Sequence, residues 1–86
     1  PKTAENFSYK WEKDLYYGLT GSEDVRALQN ALYIEGVYNG PISGNFYELT
    51  CGAVIKFQKK YNFNSVPNTG YVGPFTRKAL NEIYSK

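Results

Sequence analysis

The sequence contains no histidine and a single cysteine, Cys51. The first absence removes the commonest general base and the commonest zinc ligand together, which weighs against hydrolysis and against a metal centre. The second leaves no intrachain disulfide, so stability has to come from packing. No apolar run approaches the length that crosses a bilayer, and a formal net charge of +2 is too small to single out a binder of nucleic acid or of membrane surfaces. At 86 residues the chain has room for one modest core and none for a deep enzyme cleft. It opens at Pro1 with no initiating Met and no charged-then-apolar leader pattern, as expected of a piece of a longer protein.

What the chain has in plenty is aromatic residues, 17% of the total and mostly Tyr, enough for a stacked core, a sugar-facing surface or both. Residues 1–6 are polar and without period and read as a linker or frayed terminus, leaving residues 7–86 as the folded domain. Phe7, Tyr9 and Trp11 alternate with Ser8, Lys10 and Glu12, the pattern of an extended segment with one side on a core. Ser22 is a good N-cap, with Glu23 and Asp24 where the helix dipole favours negative charge and Val25, Leu28 and Leu32 on one face, and Gly36 stops that helix. A second helical stripe carries Ala53, Val54, Phe57 and Tyr61, with Lys56, Lys59 and Lys60 expected on a solvated face. Pro74 suits a first helical position ahead of Ala79, Leu80 and Ile83. The spacing predicts helices near 22–35, 47–62 and 74–84, around a core of Val25, Leu28, Leu32, Phe46, Val54, Phe57, Val72 and Leu80. Ile34 projects away from that face, and the segment of Phe7, Tyr9 and Trp11 is the element available to cover it.

The loops from Val37 to Asn45 and from Asn62 to Gly73 are rich in Gly, Asn, Pro and Ser. They are too long for a helix-turn-helix, and no basic recognition helix is present. Laid over itself, the chain repeats. Val25, Leu28 and Gln29 answer Val54, Phe57 and Gln58, while Gly44, Phe46, Thr50 and Ala53 answer Gly70, Val72, Thr76 and Ala79 at identical spacing. The fold class is therefore all-α: a compact three-helix domain with long loops, in which two loop-plus-helix units share a core that neither could bury alone. Gln29 and Gln58 lie close to the apolar faces of their helices, where their amides are placed to satisfy loop backbone groups, and Thr50 and Thr76 fall in first turns as local backbone partners.

Gly18, Gly21, Val25, Leu28-Gln29, Leu32, Gly36, Gly44, Phe46, Thr50, Ala53-Val54, Phe57-Gln58, Gly70, Val72-Gly73-Pro74, Thr76 and Leu80, taken in this order, resemble the peptidoglycan-binding-like domain family, over nearly everything from Leu15 onward. Two positions depart from its pattern: Ser43 stands where Asp is usual before the glycine, and Tyr47 where Gly is usual after the aromatic. Ser43 can still serve the turn through its hydroxyl. Tyr47 places an aromatic at the start of a helix.

The resemblance implies a module that binds bacterial peptidoglycan without catalysis or cofactor, anchoring a covalently attached hydrolase or structural domain. It would work as a monomer outside the cell or in the envelope, including in a phage-encoded protein, and without nucleic acid, membrane or metal. A polymer of sugar rings, acetamido groups and carboxylate-bearing stem peptides calls for aromatics, amides and modest positive charge. The candidate surface is Tyr38, Asn39, Tyr47 and Glu48 around the first loop, with Arg26 and Tyr33 on the flank of the first helix; the alternative for these residues is that they close the loop over the core. The alternative function is a protein-interaction or virion and envelope structural role for the same fold. The fold also occurs in the propeptides of animal matrix metalloproteinases, whose inhibitory Cys lies in Pro-Arg-Cys, but Cys51 lies in Leu49-Thr50-Cys51-Gly52 and has no His to pair with.

Overall fold

A computed structural model describes residues 7–61 and 69–85, so the expected linker at residues 1–6 and part of the second loop lie outside the described residues. Three helices run in chain order: α1 (Glu23–Ile34), α2 (Glu48–Lys60) and α3 (Pro74–Tyr84). Ser22 caps α1 by accepting the Val25 amide at 3.2 Å. At the other end Gly36 takes φ +82°, with Gly36 N–H bonded to Tyr33 O and Val37 N–H to Leu32 O, both at 3.0 Å. That paired closure needs a left-handed residue, which is why the helix stops at a glycine. Tyr47 precedes α2 without a side-chain cap, and the Glu48 carboxylate takes up its own backbone amide instead. Pro74 opens α3, where its missing N–H costs nothing.

All eight expected core residues are fully buried. Among the described residues there is no β-strand beyond one isolated bridge. The radius of gyration is 11.4 Å, close to the ~12 Å expected of a compact chain of this length.

The N-terminal segment does more than cover an edge. Phe7 and Tyr9 are half-buried and Trp11 is buried, while Ser8, Lys10 and Glu12 between them are exposed, as the alternation requires. Trp11 is held at three points: its amide donates to Asn81 Oδ1 at 2.8 Å, its carbonyl accepts from Asn81 Nδ2 at 3.0 Å, and its indole Nε1 donates to Asp24 O at 3.1 Å. Further along, Leu15 and Val72 exchange backbone hydrogen bonds at 3.0 and 2.8 Å, and Gly18 N–H and Leu19 O bracket Phe46 at 2.8 Å each. Phe46 and Val72 are the matching apolar residues of the two repeats, so one extended segment ties down both loops. Ile34 is half-buried against the core, and the segment's ring and hydrogen-bond contacts run to Tyr84, Asn81 and Asp24.

One expectation needs correcting. Lys60 is not merely solvated: its ammonium lies 2.8 Å from Glu35 Oε1, and Glu35 also accepts from the Tyr61 and Tyr84 hydroxyls. The Glu35 side chain is only 7% exposed, so a charge there requires these partners. Burial alone would push its carboxyl up, but the bonds from Lys60, Tyr84 and Tyr61 outweigh it and hold the group below the ordinary carboxylate range.

Candidate functional site

Two buried glutamines shape the surface. The Gln29 amide donates to Asn45 O at 3.0 Å and to Thr50 Oγ1 at 2.9 Å, and its Oε1 accepts the Gly44 amide at 3.0 Å. Gln58 repeats the set, donating to Tyr71 O at 2.9 Å and Thr76 Oγ1 at 3.1 Å and accepting from Gly70 N–H at 3.1 Å. Each amide thereby satisfies loop groups that no helix or strand would reach. The turns match as well: Ser43 Oγ accepts the Asn45 amide and Thr69 Oγ1 the Tyr71 amide, both at 3.2 Å, so Ser43 serves the turn through its hydroxyl. Residues 43–47 and 69–73 thus form matching hydrogen-bonded platforms at the N-termini of α2 and α3.

Two shallow grooves flank the first platform, meeting at Tyr38, Glu48 and Leu49. One, about 360 Å³, carries Asn39 and Lys56; the other, about 310 Å³, carries Asn45 and Tyr47. Tyr38 is their floor: it is 6% exposed, and its hydroxyl donates to Pro41 O at 2.5 Å. A Cβ at Gly40 would stand 2.9 Å from that hydroxyl, so the loop closes tightly over the ring. This is the loop-closing alternative, and it leaves the ring no open face for stacking.

Tyr47 is 42% exposed and meets the Tyr17 ring edge-on at 5.4 Å, while the Tyr17 hydroxyl donates to Glu48 Oε2 at 2.9 Å. Glu48 is held below the usual carboxylate range, first by its own backbone amide and then by Tyr17, so it presents a full negative charge. Arg26 and Tyr33 do not line these grooves. Arg26 pairs with Glu23 at 3.1 Å and lies across Gly44, where a Cβ would stand 3.3 Å from its side chain; Tyr33 is exposed on α1. The structure therefore brings Tyr38, Asn39, Tyr47 and Glu48 to one surface and leaves Arg26 and Tyr33 beside it. It adds Leu49 and Lys56, both on α2 with Glu48, and Tyr17, which sequence spacing could not find because nothing local marks a Tyr that meets Glu48 from a distant part of the chain.

A third groove of about 360 Å³ lies on the second platform. Thr69, Tyr71, Gly73, Pro74, Phe75 and Thr76 line it, the positions that answer Ser43, Asn45, Tyr47, Glu48, Leu49 and Thr50 of the first.

Comparison with known proteins gives one family match: the model described as "Putative peptidoglycan binding domain" fits residues 21–80. Two solved structures are similar. With the SleB N-terminal domain the chain shares 31% identity and a TM-score of 0.74, over 86% of this chain and 96% of that one. With a peptidoglycan-binding protein from Clostridioides difficile, solved in complex with glutamine hydroxamate, it shares 37% identity and a TM-score of 0.66, over 79% of this chain but only 40% of that one. None of the curated proteins compared matches the chain.

Proposed function

Because the chain belongs to this peptidoglycan binding domain family, we propose that it holds an attached catalytic or structural domain on the bacterial cell wall, working as a monomer and without cleaving the polymer. Family membership is the observation that carries this reading. Weak contact suffices, since a tethered partner gains effective concentration on a polymer of many identical sites. With no His in the chain and a lone Cys51 lacking a base, turnover is left to the attached domain. No helix among the described residues is long and apolar enough to cross a membrane.

The binding surface in this reading is the first platform. The Asn39 amide and the Tyr47 ring meet acetamido groups and sugar faces, with Lys56 and Arg26 available to carboxylates and Tyr33 and Glu48 at the margins. Tyr38 contributes by shaping the floor. Tyr47→Ala should weaken retention on protein-free sacculi by roughly 1 to 3 kcal/mol, the range of a stacked aromatic ring. Because Tyr47 is exposed, its unfolding midpoint should not move. Undiminished retention with an intact fold would remove the first platform from the site.

A further inference from the structure

The second platform copies the first in backbone and differs in chemistry. Gly73 replaces Tyr47, and a Cβ there would stand 3.3 Å from the Tyr71 ring, so the glycine lets that ring lie along the groove. Pro74 replaces Glu48, so among the described residues no carboxylate stands in the groove lining, and the neighbouring carboxylate of Asp14 is taken up by the Tyr71 hydroxyl at 2.8 Å and by Arg77 at 2.9 Å. Phe75 replaces Leu49 and is 55% exposed, and Tyr71 is 46% exposed with Tyr16 stacked parallel to it at 6.1 Å. Two exposed rings, Tyr71 and Phe75, thus line this groove, with Tyr16 stacked on Tyr71, where the corresponding groove of the first platform has Tyr47 exposed and Tyr38 buried as its floor.

Pro74 also borders a neighbouring groove with Arg77, Lys78 and Asn81. Arg77 is taken up by Asp14 at 2.9 Å, but Lys78 is exposed and makes no ion pair among the described residues. It sits one helical turn beyond Phe75, within reach of whatever covers that ring. The first turn of α3 has no acidic residue, whereas α1 opens with Glu23 and Asp24 and α2 with Glu48; the counter-charge on the same face is Glu82, a turn further on.

We propose that this second groove is a separate peptidoglycan subsite, taking the junction of sugar and stem peptide, with the apolar sugar face on Phe75 and Tyr71 and a stem carboxylate on Lys78. The inference rests on the peptidoglycan reading and extends it to two unlike contacts on one small domain. The first platform carries both Glu48 and Lys56 in its lining, whereas among the described residues the second groove has no carboxylate in its lining and Lys78 beside it.

The test is an amide chemical-shift titration of this chain with two soluble fragments, a disaccharide bearing its stem peptide and di-N-acetylchitobiose, which has acetamido sugar rings but no lactyl group, peptide or carboxylate. Both should shift the amides of Tyr71, Phe75 and their neighbours, with the peptide-bearing fragment about threefold tighter, as an exposed ion pair supplies. Lys78→Gln should abolish that difference, and Phe75→Ala should weaken both ligands. Shifts confined to residues 38–56, equal affinity for the two fragments, or shifts at Tyr71 and Phe75 on concentrating the chain alone would each overturn the subsite. Retention on sacculi with a silent second groove would sink this inference alone; no retention at all would sink the peptidoglycan reading beneath it.

Discussion

Gln29 and Thr50 meet inside the protein, Nε2 donating to Oγ1 at 2.9 Å with both side chains buried, and Gln58 and Thr76 repeat the contact at 3.1 Å. These bonds lock each loop to the helix that follows it. Gln29→Ala would orphan the Gly44 amide, the Asn45 carbonyl and the Thr50 hydroxyl, and Gln58→Ala the matching three groups. Each change should cost about 2 to 5 kcal/mol, since one buried unpaired group costs about 1 to 3. Denaturant unfolding of the two variants checks this; a loss under ~0.5 kcal/mol at either position would mean that water replaces the amide.

The N-terminal segment is part of the domain. Trp11→Ala removes a buried ring that packs on Phe7, Tyr9 and Tyr84, and should cost about 3 to 5 kcal/mol. Asn81→Ala leaves that ring in place but unpairs the Trp11 backbone, and should cost about 1 to 3 kcal/mol. Urea midpoints report both, and an unmoved midpoint for Asn81→Ala would show that the segment is held by its rings alone.

The helices and the core were legible because their signals are local. Val25, Leu28 and Leu32 mark a face through the helical period, and Ser22, Gly36 and Pro74 punctuate it. The repeat made Gln29 and Gln58 readable as a pair. The Leu15 and Val72 bridge, the clamp of Asn81 on Trp11 and the convergence of Lys60, Tyr61 and Tyr84 on Glu35 join residues far apart in the chain, and no spacing rule announces such pairs. For the same reason the sequence left Tyr38 open between a ligand-facing ring and one that closes the loop, and the closure over it by Gly40 and Pro41 makes it a floor. The chemical divergence of the second groove lies in Gly73 and Pro74, which read first as family motif and helix start, and in Phe75, which no sequence pattern singled out.

Gly70 has φ +84°, and a Cβ there would stand 2.5 Å from Cys51 Sγ; Gly36 has φ +82° and open space around it. Gly36→Ala should cost about 1 to 2 kcal/mol from the left-handed backbone alone. Gly70→Ala should cost clearly more. Adding Cys51→Ala should recover part of that excess, giving a non-additive double-mutant cycle. Equal losses at the two glycines would contradict the contact.

Glu35 ties stability to pH. Its folded carboxyl lies below the ordinary value of about 4.5, so the unfolded chain binds the extra proton as acid is added. The stabilisation is fully present above about 4.5 and is lost as pH falls through the folded value. Unfolding curves from neutral pH to pH ~3 should show the gap between the parent and Glu35→Gln narrowing with acid. A gap that stays constant would mean that Glu35 is not the group titrating.

The central claim is that this chain binds the wall polymer itself. Sedimentation with purified sacculi stripped of protein tests it most directly, with the pellet assayed for the chain and the supernatant for released fragments. The account predicts saturable retention in the pellet and no soluble fragments. A chain that stays in the supernatant would point to a protein partner instead, and release of fragments would contradict binding without cleavage.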